Sequence, residues 1–125
     1  MLLNNDLSAR AVVHAAKLDW VASPTRGVDR RMLFRIGDEK ARATSIVRYA
    51  PGSRFPHHDH PGGEEPDGLE LLVLADGFSD GREAFERQSW LRLPAGSPLN
   101  ARVGPDGATI WLKAAPLFLD NVVQF

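Results

Sequence analysis

Three of the four histidines in this chain crowd into one short run, at His57, His58 and His60. Acids surround them, at Asp59, Glu64, Glu65, Asp67 and Glu70. Imidazole nitrogen and carboxylate oxygen are the donors that hold a divalent metal where no thiolate is available. There is no cysteine in the 125 residues, so disulfides, zinc ribbons, iron–sulfur clusters and thiol catalysis are all excluded. On an extended backbone, neighbouring side chains point to opposite faces. His58 and His60 then share one face, and His57 and Asp59 take the other. Two imidazoles on one face, joined by a carboxylate from the next strand, make a divalent-metal site. The competing reading is a polar loop with surface histidines and a solvated acidic turn. His57 and His14 read as surface or edge residues, although a bulge would let His57 replace a missing ligand.

Strands must position this run. Ala41 to Tyr49 alternates, with Ala43, Ser45, Val47 and Tyr49 on one face and Arg42, Thr44, Ile46 and Arg48 on the other. Arg31 to Ile36 alternates weakly and ends at Gly37-Asp38. Ala50-Pro51-Gly52 is a turn, and the apolar run Leu71-Leu72-Val73-Leu74 follows the acids. Asp80-Gly81 predicts a hairpin between Phe78-Ser79 and Glu83-Ala84-Phe85. Trp90 to Leu93 is a short strand closed by Pro94-Ala95-Gly96. Gly104-Pro105-Asp106-Gly107 predicts a turn before a strand over Ala108 to Lys113. Leu7 to Ala16 reads as a short helix capped by Asn5 or Asp6, or as an edge strand, and Trp20 to Gly27 as a loop. Trp20, Trp90 and Trp111 read as core or rim packing, with Phe85 and Trp90 as the alternative walls of a ligand pocket. Many short strands between Gly, Pro and Asp-Gly turns predict an all-β sandwich or barrel.

Hydrophobic content of 43% and charged content of 25% are those of a globular domain. A net charge of −1, with scattered basic residues, gives no footprint for nucleic acid. No apolar run reaches the length of a membrane span, and the start MLLNNDLSAR lacks the pattern of a secretory signal. The expectation is a cytoplasmic protein of one domain, 1–125, with residues 1–20 an N-terminal arm or edge strand and 20–115 the barrel core. That arm and the apolar run Pro116-Leu117-Phe118-Leu119 predict a homodimer.

Gly52 stands six residues before His58, His60 follows two residues later, and Glu70 precedes Gly77 by seven. This resembles the first cupin motif, G-x5-H-x-H-x3/4-E-x6-G, and Pro94-Ala95-Gly96 resembles the P-x-G of the second. The phrases RYAPGSRFPHHDHPGGEE, LVLADGFSD and TIWLKA are similar to the ChrR-type cupin family, over roughly residues 20 to 115. The resemblance implies an all-β, double-stranded antiparallel barrel of the jelly-roll kind. It also implies metal ligation by His58, His60 and a carboxylate, the ion being Zn, Fe, Ni or Mn. Counting forward from His60 selects Glu64 or Glu65, whereas counting back from the strand selects Glu70, whose place at a strand start directs it into the barrel. The family histidine stands three residues beyond the second-motif glycine, where this chain has Leu99, preceded by Ser97-Pro98, and Leu99 supplies no ligand. Gln88 replaces the glycine that opens the second motif.

Two histidines and one carboxylate leave coordination positions open. The functions implied are a metal-dependent module that senses or binds a small ligand, an Fe(II) dioxygenase-type enzyme as the alternative, or a barrel whose site has decayed. No nucleophile constellation and no phosphate loop is present. Direct sigma-factor binding is not expected, because in this family a separate helical zinc domain that uses cysteine performs it.

Overall fold

The computed structural model describes residues 2–37, 42–55, 68–97 and 99–114. Its elements are β1 (Leu2–Leu3), a 3-10 turn (Ala15–Lys17), β2 (Val21–Ala22), β3 (Val28–Ile36), β4 (Arg42–Tyr49), β5 (Arg54–Phe55), β6 (Leu69–Ser79), β7 (Ala84–Phe85), β8 (Trp90–Leu93) and β9 (Ala101–Ala114). The strands join in one antiparallel sheet along β1-β3-β4-β9-β6-β7, with β2 on β3, β5 on β9 and β8 on β6. No helix among the described residues is long and apolar enough to cross a membrane.

Paired residues in an antiparallel ladder present their side chains on the same face, so register assigns whole rows to one side. Met32, Ser45, Leu112, Leu71 and Leu91 form one inward row. Arg30, Val47, Ile110 and Val73 form the next. Leu69, Leu71, Val73 and Ile110 lose nearly all contact with solvent, each worth about 1.5–3 kcal/mol of burial. The opposite face carries the row Arg31, Ile46, Trp111, Leu72 and Trp90, and the row Thr44, Lys113, Glu70 and Arg92. The alternation expected for Ala41 to Tyr49 is met, because Ser45, Val47 and Tyr49 are buried and Arg42 and Arg48 exposed.

The hairpin at Asp80-Gly81 forms as anticipated, pairing Phe78 with Phe85 and Ser79 with Ala84. Asp80 Oδ1 accepts the backbone N–H groups of Glu83 and Arg82 at 2.9 Å each. Those bonds hold its carboxyl below the usual aspartate value. Residues 7–14, expected to be helix or strand, are neither, and only Ala15–Lys17 makes a single 3-10 turn. The exposed Leu7 and Val12 give this stretch no apolar face to dock.

The Gly104–Gly107 phrase does not end a strand, as it was expected to. Val103 faces Phe78 and Ala108 faces Asp76, so the whole phrase stands against Gly77 alone. The chain bulges out and returns to the same track, and β9 continues through it. Gly104 carbonyl receives the Gly52 N–H at 2.8 Å. Gly107 sits at φ +79°, where a side chain would also press on the Tyr49 carbonyl.

Gly77 is required for space. A Cβ there would collide with the carbonyl oxygen of Phe85, which is fixed by the β6–β7 pairing. Gly77→Ala is expected to cost more than about 2 kcal/mol. Urea unfolding should show a lowered midpoint with an unchanged slope.

Candidate metal and ligand centre

The run that carries His57, His58, His60, Glu64 and Glu65 lies outside the described residues. Phe55 ends β5 opposite Ala101, and Leu69 opens β6 opposite Ala114. The two flanks therefore stand at opposite ends of β9. Both are buried members of the inner core.

That inner side is almost wholly apolar. Tyr49 packs on Phe55 with ring centroids 5.0 Å apart, Tyr49 meets Phe78 edge-on at 6.2 Å, and Phe78 lies 5.1 Å from Phe85. Phe85 thus lines the interior. Leu99 belongs to the same cluster at 6% exposure, so its side chain does face inward. Ser45 is the buried polar residue of the described core. Among the described residues no three histidines or acids are grouped to hold a metal. An ion in this interior would take its ligands from the histidine run.

Glu70 takes a different direction from the one expected. On β6 it alternates with the buried Leu69 and Leu71, which turns its side chain to the outer face. There Oε1 accepts the indole N–H of Trp90 at 3.0 Å, and Lys113 and Arg92 flank it in the same row. Trp90 is 53% exposed, and the Arg92 guanidinium lies 5.3 Å from its ring centroid. Trp90 is neither core nor pocket wall, because β8 alternation gives the inward places to Leu91 and Leu93. His14 is exposed on the N-terminal segment.

Two features escape the sequence pattern. Trp20 lies between two guanidinium groups, Arg31 at 4.0 Å and Arg48 at 4.4 Å from the ring centroid. Arg31 Nε also donates to the Leu18 carbonyl at 2.8 Å, and Arg48 pairs with Asp29 at 2.9 Å. These contacts fasten the end of the N-terminal segment to the outer face of β3 and β4. The second is Arg30, on the inner face opposite Val47. Three arginines in β3 blur its alternation, and only the register reveals which of them turn inward. A shallow cleft of about 420 Å³ is lined by Asp29, Arg48, Asp76 and Asp106 among others, and its acids do not converge on one point.

A jelly-roll sheet of this plan defines a cupin. The sequence matches the model of the ChrR cupin-like domain over residues 8–117, and the chain belongs to that family. Similar solved structures include KdgF from Halomonas sp., at 17% identity and TM-score 0.62, covering 91% of this chain and 100% of that one. The polyketide cyclase RemF from Streptomyces resistomycificus matches at 17% identity and TM-score 0.60, over 90% and 89%. The complex of Rhodobacter sphaeroides SigE with the anti-sigma ChrR matches at 19% identity and TM-score 0.51, over 78% of this chain and 48% of that one. At these identities the likeness carries the fold alone. No curated protein matches the sequence.

Proposed function

We propose that this chain is a metal-dependent cupin module that senses or binds a small ligand inside its barrel. The observation that carries the reading is the burial of Phe55 and Leu69 on the inner side at the two ends of β9. His58 and His60 lie in sequence between those two flanks, and their imidazoles would be the donors to the ion. His58 and His60 would hold the ion together with Glu64, or Glu65 beside it. Glu70 is the weaker candidate, since its carboxylate is committed to Trp90 on the outer face. A bound divalent ion would supply a Lewis-acidic contact for an oxygen-bearing ligand. The apolar wall of Leu69, Leu71 and Leu99 would exclude water and strengthen that contact.

Pairing as a homodimer remains part of this reading, supported by the exposed apolar side chains of Trp90 and Leu74. The chain is also proposed to act without binding a sigma factor, consistent with its lack of cysteine. The dioxygenase reading draws on no feature of the described residues, and oxygen uptake on a panel of diketones by the iron-loaded protein would revive it.

Metal analysis of untagged protein is expected to give about one divalent ion per chain. His58→Ala with His60→Ala should abolish it, and Glu64→Gln should reduce affinity about tenfold or more. Glu70→Gln should leave metal content unchanged. Full metal in the double histidine variant would place the site elsewhere.

Leu99→His tests the wall itself. It puts an imidazole among apolar side chains and should cost about 1–3 kcal/mol without metal. Adding zinc should recover that loss and tighten retention about tenfold, because Leu99 faces inward. A lowered melting temperature that zinc does not change would show that position 99 is out of reach of the ion.

A further inference from the structure

Arg30 stands in the inward row with the buried Val47, Ile110 and Val73, and is itself half-buried. Its Nε is buried and makes no hydrogen bond. A buried guanidinium N–H without a partner is costly, and native structures rarely leave one so.

Arg35 comes to the same face by an irregularity in the strand. Five positions separate the two arginines, and in a regular strand an odd separation places side chains on opposite faces. The register shifts between Met32 and Phe34, however. After the shift Arg35 pairs with Ala43, on the same face as Ser45 and Val47. A bulge of this kind re-aims whatever follows it, and bulges recur beside functional sites. Arg35 Nε is held by the Gly37 carbonyl at 3.2 Å. Burial first, and the like charge of Arg35 second, hold Arg30 below the usual arginine range. The guanidinium nonetheless stays protonated.

From this placement we infer that the inner face of β3 binds the carboxylate of a small organic acid, with Arg30 as its principal anchor and Arg35 beside it. The guanidinium fork matches a carboxylate in two parallel bonds. Val28 and Met32, two positions either side of Arg30 on the same face and only half-buried, offer the acid's carbon skeleton an apolar bed. The inference names the ligand class for the binding function proposed above and rests on that reading, but it needs no metal contact.

The test is thermal melting and titration calorimetry of the full chain with butyrate, in EDTA and again with zinc. Wild type should bind butyrate in both conditions, its melting temperature rising by roughly 4–7 °C with the acid at about tenfold its dissociation constant. Arg30→Met, which removes the charge and keeps the length, should melt no lower than wild type and lose the butyrate response. Arg30→Lys should weaken binding about tenfold, since it retains charge and loses the fork. The His58→Ala, His60→Ala variant should keep the response, which separates this site from the metal. An unchanged response in Arg30→Met overturns the inference. So does a response that vanishes in EDTA, which would place the acid on the ion and leave the metal reading intact. Inorganic phosphate matching butyrate in wild type would also overturn it, as a site for bare anions rather than organic acids.

Discussion

Pairing along both edges of β9 is the constraint on which the rest of the sheet depends. One edge holds β4 and then β5, and the other holds β6 along nearly its whole length. Every inward row of the central sheet therefore passes through a β9 residue. A slip of one position would exchange Ile110 for Trp111 and send the apolar set to the outer face. The cost of exposing Ile110, Val73 and Leu71 together is several kcal/mol, comparable with the whole stability of a small domain. Register is thus fixed by burial, and burial decides where every candidate functional side chain points.

Glu70 and Arg30 show how that decision governs the chemistry. Both are ionisable residues on strands whose neighbours are buried, yet they differ by one step of the alternation. Glu70 falls outward, beside Lys113 and Arg92, and finds the Trp90 indole in water. Arg30 falls inward, and its Nε finds no hydrogen-bond partner. An exposed carboxylate with a hydrogen bond is cheap to maintain and explains itself. An inward guanidinium does not, and that asymmetry directs attention to β3 rather than to the second motif.

Much of the architecture was legible in the residues. The period-two pattern of β4, the Asp80-Gly81 hairpin and the short strand Trp90–Leu93 all appear where the pattern places them. The misreadings have a common cause, which is that turn chemistry and helix chemistry are local whereas the outcome is tertiary. Gly104–Gly107 carries every mark of a reversal, but its flanks Val103 and Ala108 are both held by β6, so the excursion closes on itself. Val12 and Val13 suggest a strand that finds no edge. Glu70 lies at a strand start, and its strand was correctly placed, but its face depended on which neighbours would be buried. The shift between Met32 and Phe34 leaves no trace in composition, and it alone brings Arg35 to the side of Arg30.

The central position of β9 also has a consequence for how the chain is made. Its partners β4, β5 and β6 all precede it in sequence, so a ribosome releases them before the strand that unites them. Until Ala114 has emerged, β6 has, among the described strands, only β7 and β8 beside it, and β4 only β3. Those open edges are apolar on one face and apt to pair with other chains. Because the contacts that close the sheet are long-range, their formation is slow relative to the local hairpins. Nascent chains are therefore most exposed to misassociation before β9 has emerged, and holding them apart at that stage falls to chaperones rather than to the fold.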